Sequence, residues 1–196
     1  MFCSKIYTSK YGPIIKTTLT NSYKAFFILK SSNQTEVTYM EMIECAGWID
    51  SSCDDGPGIR SVLFLQGCKK NCKGCHNRQI QEHGKGTMIS IDKLIAFIDR
   101  ECCNKRITIS GGEPLEQLDS LIHLIDKLKK KGYEICVYTG WELKFVPKCI
   151  LDKIDYIKTG GFVKELRDAS IQYVGSSNQH MFSISNGSVT ELELVV

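Results

Sequence analysis

The stretch RITISGGEPLEQLDSLIHLIDKLKKKGYEICVYTG, residues 106–140, decides the fold class. Arg106 to Ser110 sets Ile107 and Ile109 between polar neighbours, too short a run for a helix, and stops at Gly111-Gly112. That predicts a strand. Leu118, Leu121, Ile122, Ile125 and Leu128 then recur at helical spacing, with Lys129 to Lys131 and Gly132 supplying the C-terminal charge and the stop. Tyr133 to Tyr138 reads as a second strand ending at Thr139-Gly140. Strand, amphipathic helix and strand in direct succession form a βαβ unit, with parallel strands and a right-handed crossover.

The same grammar extends in both directions. Upstream, Arg60 to Leu65 is a short apolar run closed by Gln66-Gly67, consistent with a buried strand. Ser90 is a candidate N-cap for a helix carrying Ile91, Leu94, Ile95 and Ile98 and reaching the adjacent Cys102 and Cys103. Downstream, after a short and poorly defined helix, Ile154 to Lys158 reads as a further strand ending at Thr159-Gly160-Gly161. The expected architecture is α/β, a partial (βα) barrel or open sheet of parallel strands. Ligands in such folds collect at the carboxyl ends of the strands. Cys68, Gly111-Gly112, Thr139-Gly140 and Thr159-Gly160 each follow a strand, so four candidate site loops share one rim. Residues 1–41 mix polar and β-prone residues without a period and read as an N-terminal extension, leaving 42–196 as the main domain. That extension is expected to be either a partner-binding element or an over-called start, with Met40 and Met42 near its end.

Composition narrows the class. The chain has 196 residues, 42% hydrophobic and 24% charged, the profile of one soluble domain with a real core. No apolar run approaches the roughly 20 residues that span a bilayer, and no secretory signal is legible, so a cytoplasmic location is expected. A net charge of +3 with interspersed signs gives no footprint for nucleic acid. Small molecules or proteins are the expected partners. Ten cysteines stand out, and in a reducing compartment they point to metal binding or catalysis before disulfides. Seven of them, Cys3, Cys45, Cys53, Cys102, Cys103, Cys136 and Cys149, are scattered and read mostly as small hydrophobes or surface thiols.

The other three, Cys68, Cys72 and Cys75, fall within eight residues in a polar loop containing Lys69, Lys70, Asn71, Lys73 and Gly74. Soft thiolates at such spacing select an Fe-S cluster, zinc or copper(I). Structural zinc and electron-transfer clusters take four protein ligands; three cysteines around four irons leave one iron open for chemistry.

Cys-x3-Cys-x2-Cys after the first strand of such a unit resembles the radical S-adenosylmethionine superfamily. Three further segments narrow the resemblance: Asp55-Gly56-Pro57-Gly58-Ile59-Arg60, Ser110-Gly111-Gly112-Glu113-Pro114-Leu115, and Gly175-Ser176-Ser177-Asn178-Gln179. Together, from about Ile43 to Phe182, they are similar to the activating proteins of anaerobic (class III) ribonucleoside-triphosphate reductases. The resemblance implies a [4Fe-4S] cluster on Cys68, Cys72 and Cys75, reductive cleavage of S-adenosylmethionine at its open iron, and a glycyl radical made on the reductase. It places Gly111, Gly112 and Glu113 at the methionine end of the ligand, Thr139 and Gly140 in a neighbouring loop, and Asn77 beside the cluster loop. His76 joins them as a cofactor contact and as a weak candidate for a fourth ligand. Lys69, Lys70 and Lys73 are either solvated or attractive to an acidic reductant such as flavodoxin. Gly74 before the third cysteine matches the activating-protein branch, whereas Val174 stands where arginine is common and His76 where tyrosine is frequent. Two other readings stay open: an activase of the pyruvate formate-lyase type, and a non-catalytic module holding zinc with Cys45 or Cys53 as a distant fourth ligand.

Overall fold

The computed structural model describes residues 24–31, 34–102, 104–185 and 187–195, with side-chain surroundings from Glu41 onward. Cys3, Cys103 and most of the 1–41 extension lie outside the described residues. In chain order the strands are β1 (Lys24–Ser31), β2 (Gln34–Ser52), β3 (Arg60–Leu65), β4 (Thr87–Ser90), β5 (Arg106–Gly111), β6 (Glu134–Tyr138), β7 (Tyr156–Thr159), β8 (His180–Ser185) and β9 (Ser188–Glu191). The helices are α1 (Ile91–Glu101), α2 (Leu118–Lys130) and the single turn α3 (Lys148–Leu151).

The molecule is a mixed α/β structure. β3, β5, β6 and β7 lie side by side and parallel, as the βαβ pattern predicts. The sheet is not parallel throughout. β2 pairs antiparallel with β3 and carries β4 beside it, while β8 and β9 continue antiparallel beyond β7. The sequence gives little warning of β8 and β9, because they are short and largely exposed and therefore lack a clean apolar alternation. The second half of β2 belongs to the central sheet, while its first half forms a hairpin with β1.

Period-two alternation sorts the parallel strands into two faces. Leu63, Leu65, Ile107, Ile109, Ile135, Val137 and Ile157 pack with Leu94, Ile95 and Ile98 of α1 and with Leu121, Leu124, Ile125 and Leu128 of α2. The intervening residues face away from the helices, where Cys136, Tyr138 and Met181 form a smaller cluster with Tyr156, Tyr173, Leu192 and Leu194 packed against it. Arg60 is fully buried there, its Nη2 donating to Glu134 Oε1 at 2.6 Å and to the Pro57 carbonyl at 2.8 Å. All four parallel strands thus end at one rim, with the helices behind it.

α1 starts where its sequence says, with the Ser90 hydroxyl accepting from Lys93 N at 3.4 Å. Its last turn is tied down by Asp99. That carboxylate accepts from the buried Tyr133 hydroxyl at 2.9 Å and from Lys105 at 3.2 Å, and pairs with Lys131 at 2.7 Å. Led by the Lys131 bond, these donors hold the Asp99 carboxyl at about 2, below the usual carboxylate range. A depressed folded-state value means stability that is present above the unfolded value of about 4 and is lost as pH falls toward 2. Asp99→Asn should therefore lower the melting temperature near neutral pH. It should also make the fall in stability between pH 4 and 2 shallower than in the wild type, as thermal melts across that range would read.

Candidate functional site

The cysteine loop begins directly after β3 and is framed by backbone bonds. Gly67 N donates to Ile80 O and Cys68 N to Gln81 O, both at 2.8 Å, and Cys75 N closes a turn on Cys72 O at 3.2 Å. Gly67 turns the chain out of the strand with φ of 95°, a conformation that favours glycine, and a Cβ there would strike the His83 ring at 2.2 Å. His83 Nε2 lies 2.7 Å from Glu116 Oε2, while Glu116 Oε1 accepts from Lys69 N at 2.8 Å. Cys68, Cys72 and Cys75 are free thiols of intermediate exposure. Burial is the main cause that raises the Cys68 thiol, with Glu113, Glu116 and Cys72 adding to it against a lowering hydrogen bond from the Lys70 backbone.

The loop after β5 is bonded to this one. Gly112 N donates to Leu65 O at 2.9 Å and Glu113 N to Gly67 O at 2.8 Å. A Cβ on Gly112 would lie 2.1 Å from Gly67 O, so only glycine lets the two backbones meet. Asn77 Nδ2 adds a third link, to Gly111 O at 2.9 Å. Glu113 then reaches the loop after β6. Its Oε1 accepts from Thr139 Oγ1 at 2.8 Å and Leu115 N at 3.1 Å, and its Oε2 from Gly140 N at 2.8 Å. The side chain is buried, and desolvation raises its carboxyl above the ordinary value despite those donors and the nearby Lys70. Three of its roughly four acceptor sites are filled, which leaves one on Oε2.

Cys68, Asn77, Gly111, Gly112, Glu113, Thr139 and Gly140 therefore form one hydrogen-bonded rim. Cys72 sits across it, its Sγ 3.8 Å from where a Cβ on Gly161 would stand. His76 is exposed and turns toward Phe162, with ring centroids 5.1 Å apart. The Gly175 to Gln179 segment docks on the loop after β7, with Gln179 Nε2 donating to Gly160 O at 2.8 Å and Asn178 Nδ2 to Gly161 O at 2.9 Å. Beside it opens a cavity of about 660 Å³ lined by Lys70, Trp141, Phe162, Asn178 and His180 among others.

Sequence reasoning passed over the supports of this rim. Buried Glu44 accepts from Gly84 N and Gly86 N, and its own backbone exchanges bonds with the Gln117 side chain, which also donates to Gln66 O. Glu44 and Gln117 are 73 residues apart. No local pattern links them; a buried-strand glutamate facing a glycine-rich segment was the only available signal.

Among the described residues no three His, Cys, Asp or Glu side chains converge as ligands of a single metal ion. A four-iron cluster asks for something else, since each thiolate bonds a different iron and the three must stand apart around a common centre. Three thiols on one polar loop, with glycine backbone opposite Cys72, fit that group. Cys45 lies on β2 and packs against the helix-facing core, where burial pushes its thiol up to about 12.

Residues 54–182 match the family model described as a 4Fe-4S single cluster domain. The anaerobic ribonucleoside-triphosphate reductase-activating protein of Salmonella typhimurium is 33% identical over 136 residues, 64% of this chain and 88% of that protein. Its Vibrio cholerae namesake is 32% identical over 143 residues, 66% of this chain and 92% of that protein. The pyruvate formate-lyase-activating enzyme of Listeria monocytogenes is 40% identical over 83 residues, 40% of this chain and 34% of that enzyme.

Gly112→Ala should push the two loops apart, because the atom it meets is backbone and cannot swing aside. The expected result is protein with normal helix content but little iron after anaerobic reconstitution. Gly47→Ala, whose Cβ meets nothing within 4 Å, should load iron normally.

Proposed function

The chain belongs to the 4Fe-4S single cluster domain family and is a radical S-adenosylmethionine activase, and on that premise we propose that it makes a glycyl radical on an anaerobic ribonucleoside-triphosphate reductase. The observation that carries this reading is the bonded rim itself, a three-thiol loop locked by backbone to a Gly-Gly-Glu edge. The similarity, which covers 88% and 92% of two proteins named for that reductase, supports the substrate. With S-adenosylmethionine bound, the cluster supplies one-electron cleavage of a carbon-sulfur bond.

The protein's part is position and charge. Cys68, Cys72 and Cys75 would hold the cluster, leaving one iron for the amino-acid end of the ligand. Gly111 and Gly112 would bring backbone close to it, and the unfilled acceptor site of Glu113 Oε2 would receive the ligand's ammonium. Thr139 and Gly140 orient that carboxylate, Asn77 holds the cluster loop to β5, and His76 with Phe162 borders the cofactor. Lys69, Lys70 and Lys73 present a basic edge to an acidic, flavodoxin-like reductant. The four parallel strands are read as a partial barrel in residues 42–196, with residues 1–41 as an extension and the cytoplasm as the setting. A sheet that reverses direction after β7 leaves its mouth open at the side, which suits a glycine presented on a protein loop.

Reduced, reconstituted protein should hold about four irons and convert S-adenosylmethionine to methionine and 5'-deoxyadenosine. With a class III reductase from the same source it should produce an electron paramagnetic resonance doublet whose splitting collapses when the reductase glycine is deuterated. Deoxyadenosine without that doublet, using a competent reductase, would overturn the substrate. Replacing Cys68, Cys72 or Cys75 by alanine should abolish the cluster or its activity, while Cys102→Ala and Cys149→Ala should leave both in place.

A further inference from the structure

The short helical turn Pro114–Gln117 and its cap Glu113 point three polar side chains at three different parts of the site. Glu113 bonds the loop after β6, and Gln117 bonds Glu44 and the Gln66 carbonyl. Glu116 faces the cysteine loop. Across 47 residues its Oε1 accepts from Lys69 N at 2.8 Å, one residue after Cys68. Its Oε2 lies 2.7 Å from His83 Nε2, and the same imidazole stands against Gly67, one residue before Cys68. Glu116 N donates to Glu113 O at 3.0 Å, so the backbone of the turn fixes where the side chain starts.

The Glu116 side chain is only 13% exposed, whereas Lys69, Lys70 and Lys73 of the cysteine loop are exposed. Water and salt screen those three ammonium groups and screen the drier carboxylate much less. Structure alone does not ask for a charge here. A glutamine would accept from Lys69 N just as well, and its amide could donate to the His83 ring. What the carboxylate adds is a fixed negative charge beside Cys68.

We propose that the Glu116 carboxylate sets the reduction potential of the cluster held through Cys68, keeping it more negative than the lysine-rich loop would leave it. The proposal rests on the activase reading and adds to it a residue that tunes the electron. The activase reaction consumes one electron, taken from an external one-electron donor and spent in breaking the ligand's carbon-sulfur bond to methionine and a carbon-centred radical. A negative charge next to the cluster opposes the electron's arrival, so an electron held there is more reducing. Glu116 is a positioning residue: it acts through the loop and through space.

The test is an anaerobic redox titration of the reconstituted full chain without S-adenosylmethionine, read by the paramagnetic signal of the reduced cluster. Glu116→Gln keeps the acceptor for Lys69 N and removes the charge. It should load iron like the wild type and favour the reduced state roughly tenfold at a given potential, a rise of about 59 mV for one electron. A potential that stays or falls overturns the proposal, because a merely structural role would not move it upward. Glu165→Gln, which removes an exposed carboxylate paired with Lys73, should leave the potential in place. An equal rise there would reveal a general charge effect and overturn the assignment to Glu116. If Glu116→Gln loads no iron, Glu116→Asp and Glu116→Asn decide, being alike in reach and different in charge. The asparagine variant should have the higher potential, and equal values overturn the proposal. Wild-type protein that takes up no four-iron cluster overturns this proposal and the activase reading together. Cluster uptake without S-adenosylmethionine cleavage sinks the activase reading alone, and the potentials still decide the role of Glu116.

Discussion

The contact on which the site depends is the meeting of two backbones at Gly67 and Gly112. β3 and β5 are parallel neighbours in register from Ser61 with Ile107 to Leu65 with Gly111. Beyond the register the ladder continues for two more bonds, Gly112 N to Leu65 O and Glu113 N to Gly67 O, into what would otherwise be independent loops. The cysteine loop and the Gly-Gly-Glu edge are thereby one rigid piece. Because backbone bonds set the spacing, neither loop has to order itself when a cofactor binds, which is how a preformed site avoids the cost of loop ordering.

Glu113 carries this rigidity one strand further. A carboxylate in a buried position is expensive unless its oxygens are occupied, and here three donors from two loops occupy them. The same desolvation that raises its carboxyl makes its remaining acceptor site strong toward a cation, because no water competes for it. The geometry thus gives one side chain two duties, fastening β5 to β6 and offering a negative edge to a ligand.

The central fold was legible because its signals are local. Ile107 and Ile109 between polar residues, the α2 stripe from Leu118 to Leu128, and the Ser90 cap each act within a few residues, and each element stands where the sequence put it. The cysteine spacing and Gly-Gly-Glu were legible for the same reason. What stayed hidden is long-range. The Glu44 to Gln117 exchange crosses 73 residues, and the bond from Lys69 N to Glu116 crosses 47. The antiparallel outer strands escaped notice because β8 and β9, half in water, have no need of an apolar period.

The electrostatics of the loop also bear on its three thiols. Three thiolates in eight residues would repel one another, and Cys68 is further discouraged by burial and by the nearby Glu113 and Glu116 carboxylates. Burial and those carboxylates therefore favour the neutral thiol at Cys68. Iron bound there would offset that penalty, because a coordinated thiolate shares its charge with the metal. Loading would then be coupled to proton release. Lys70, close enough to Glu113 to lower its carboxyl, tempers the charge there.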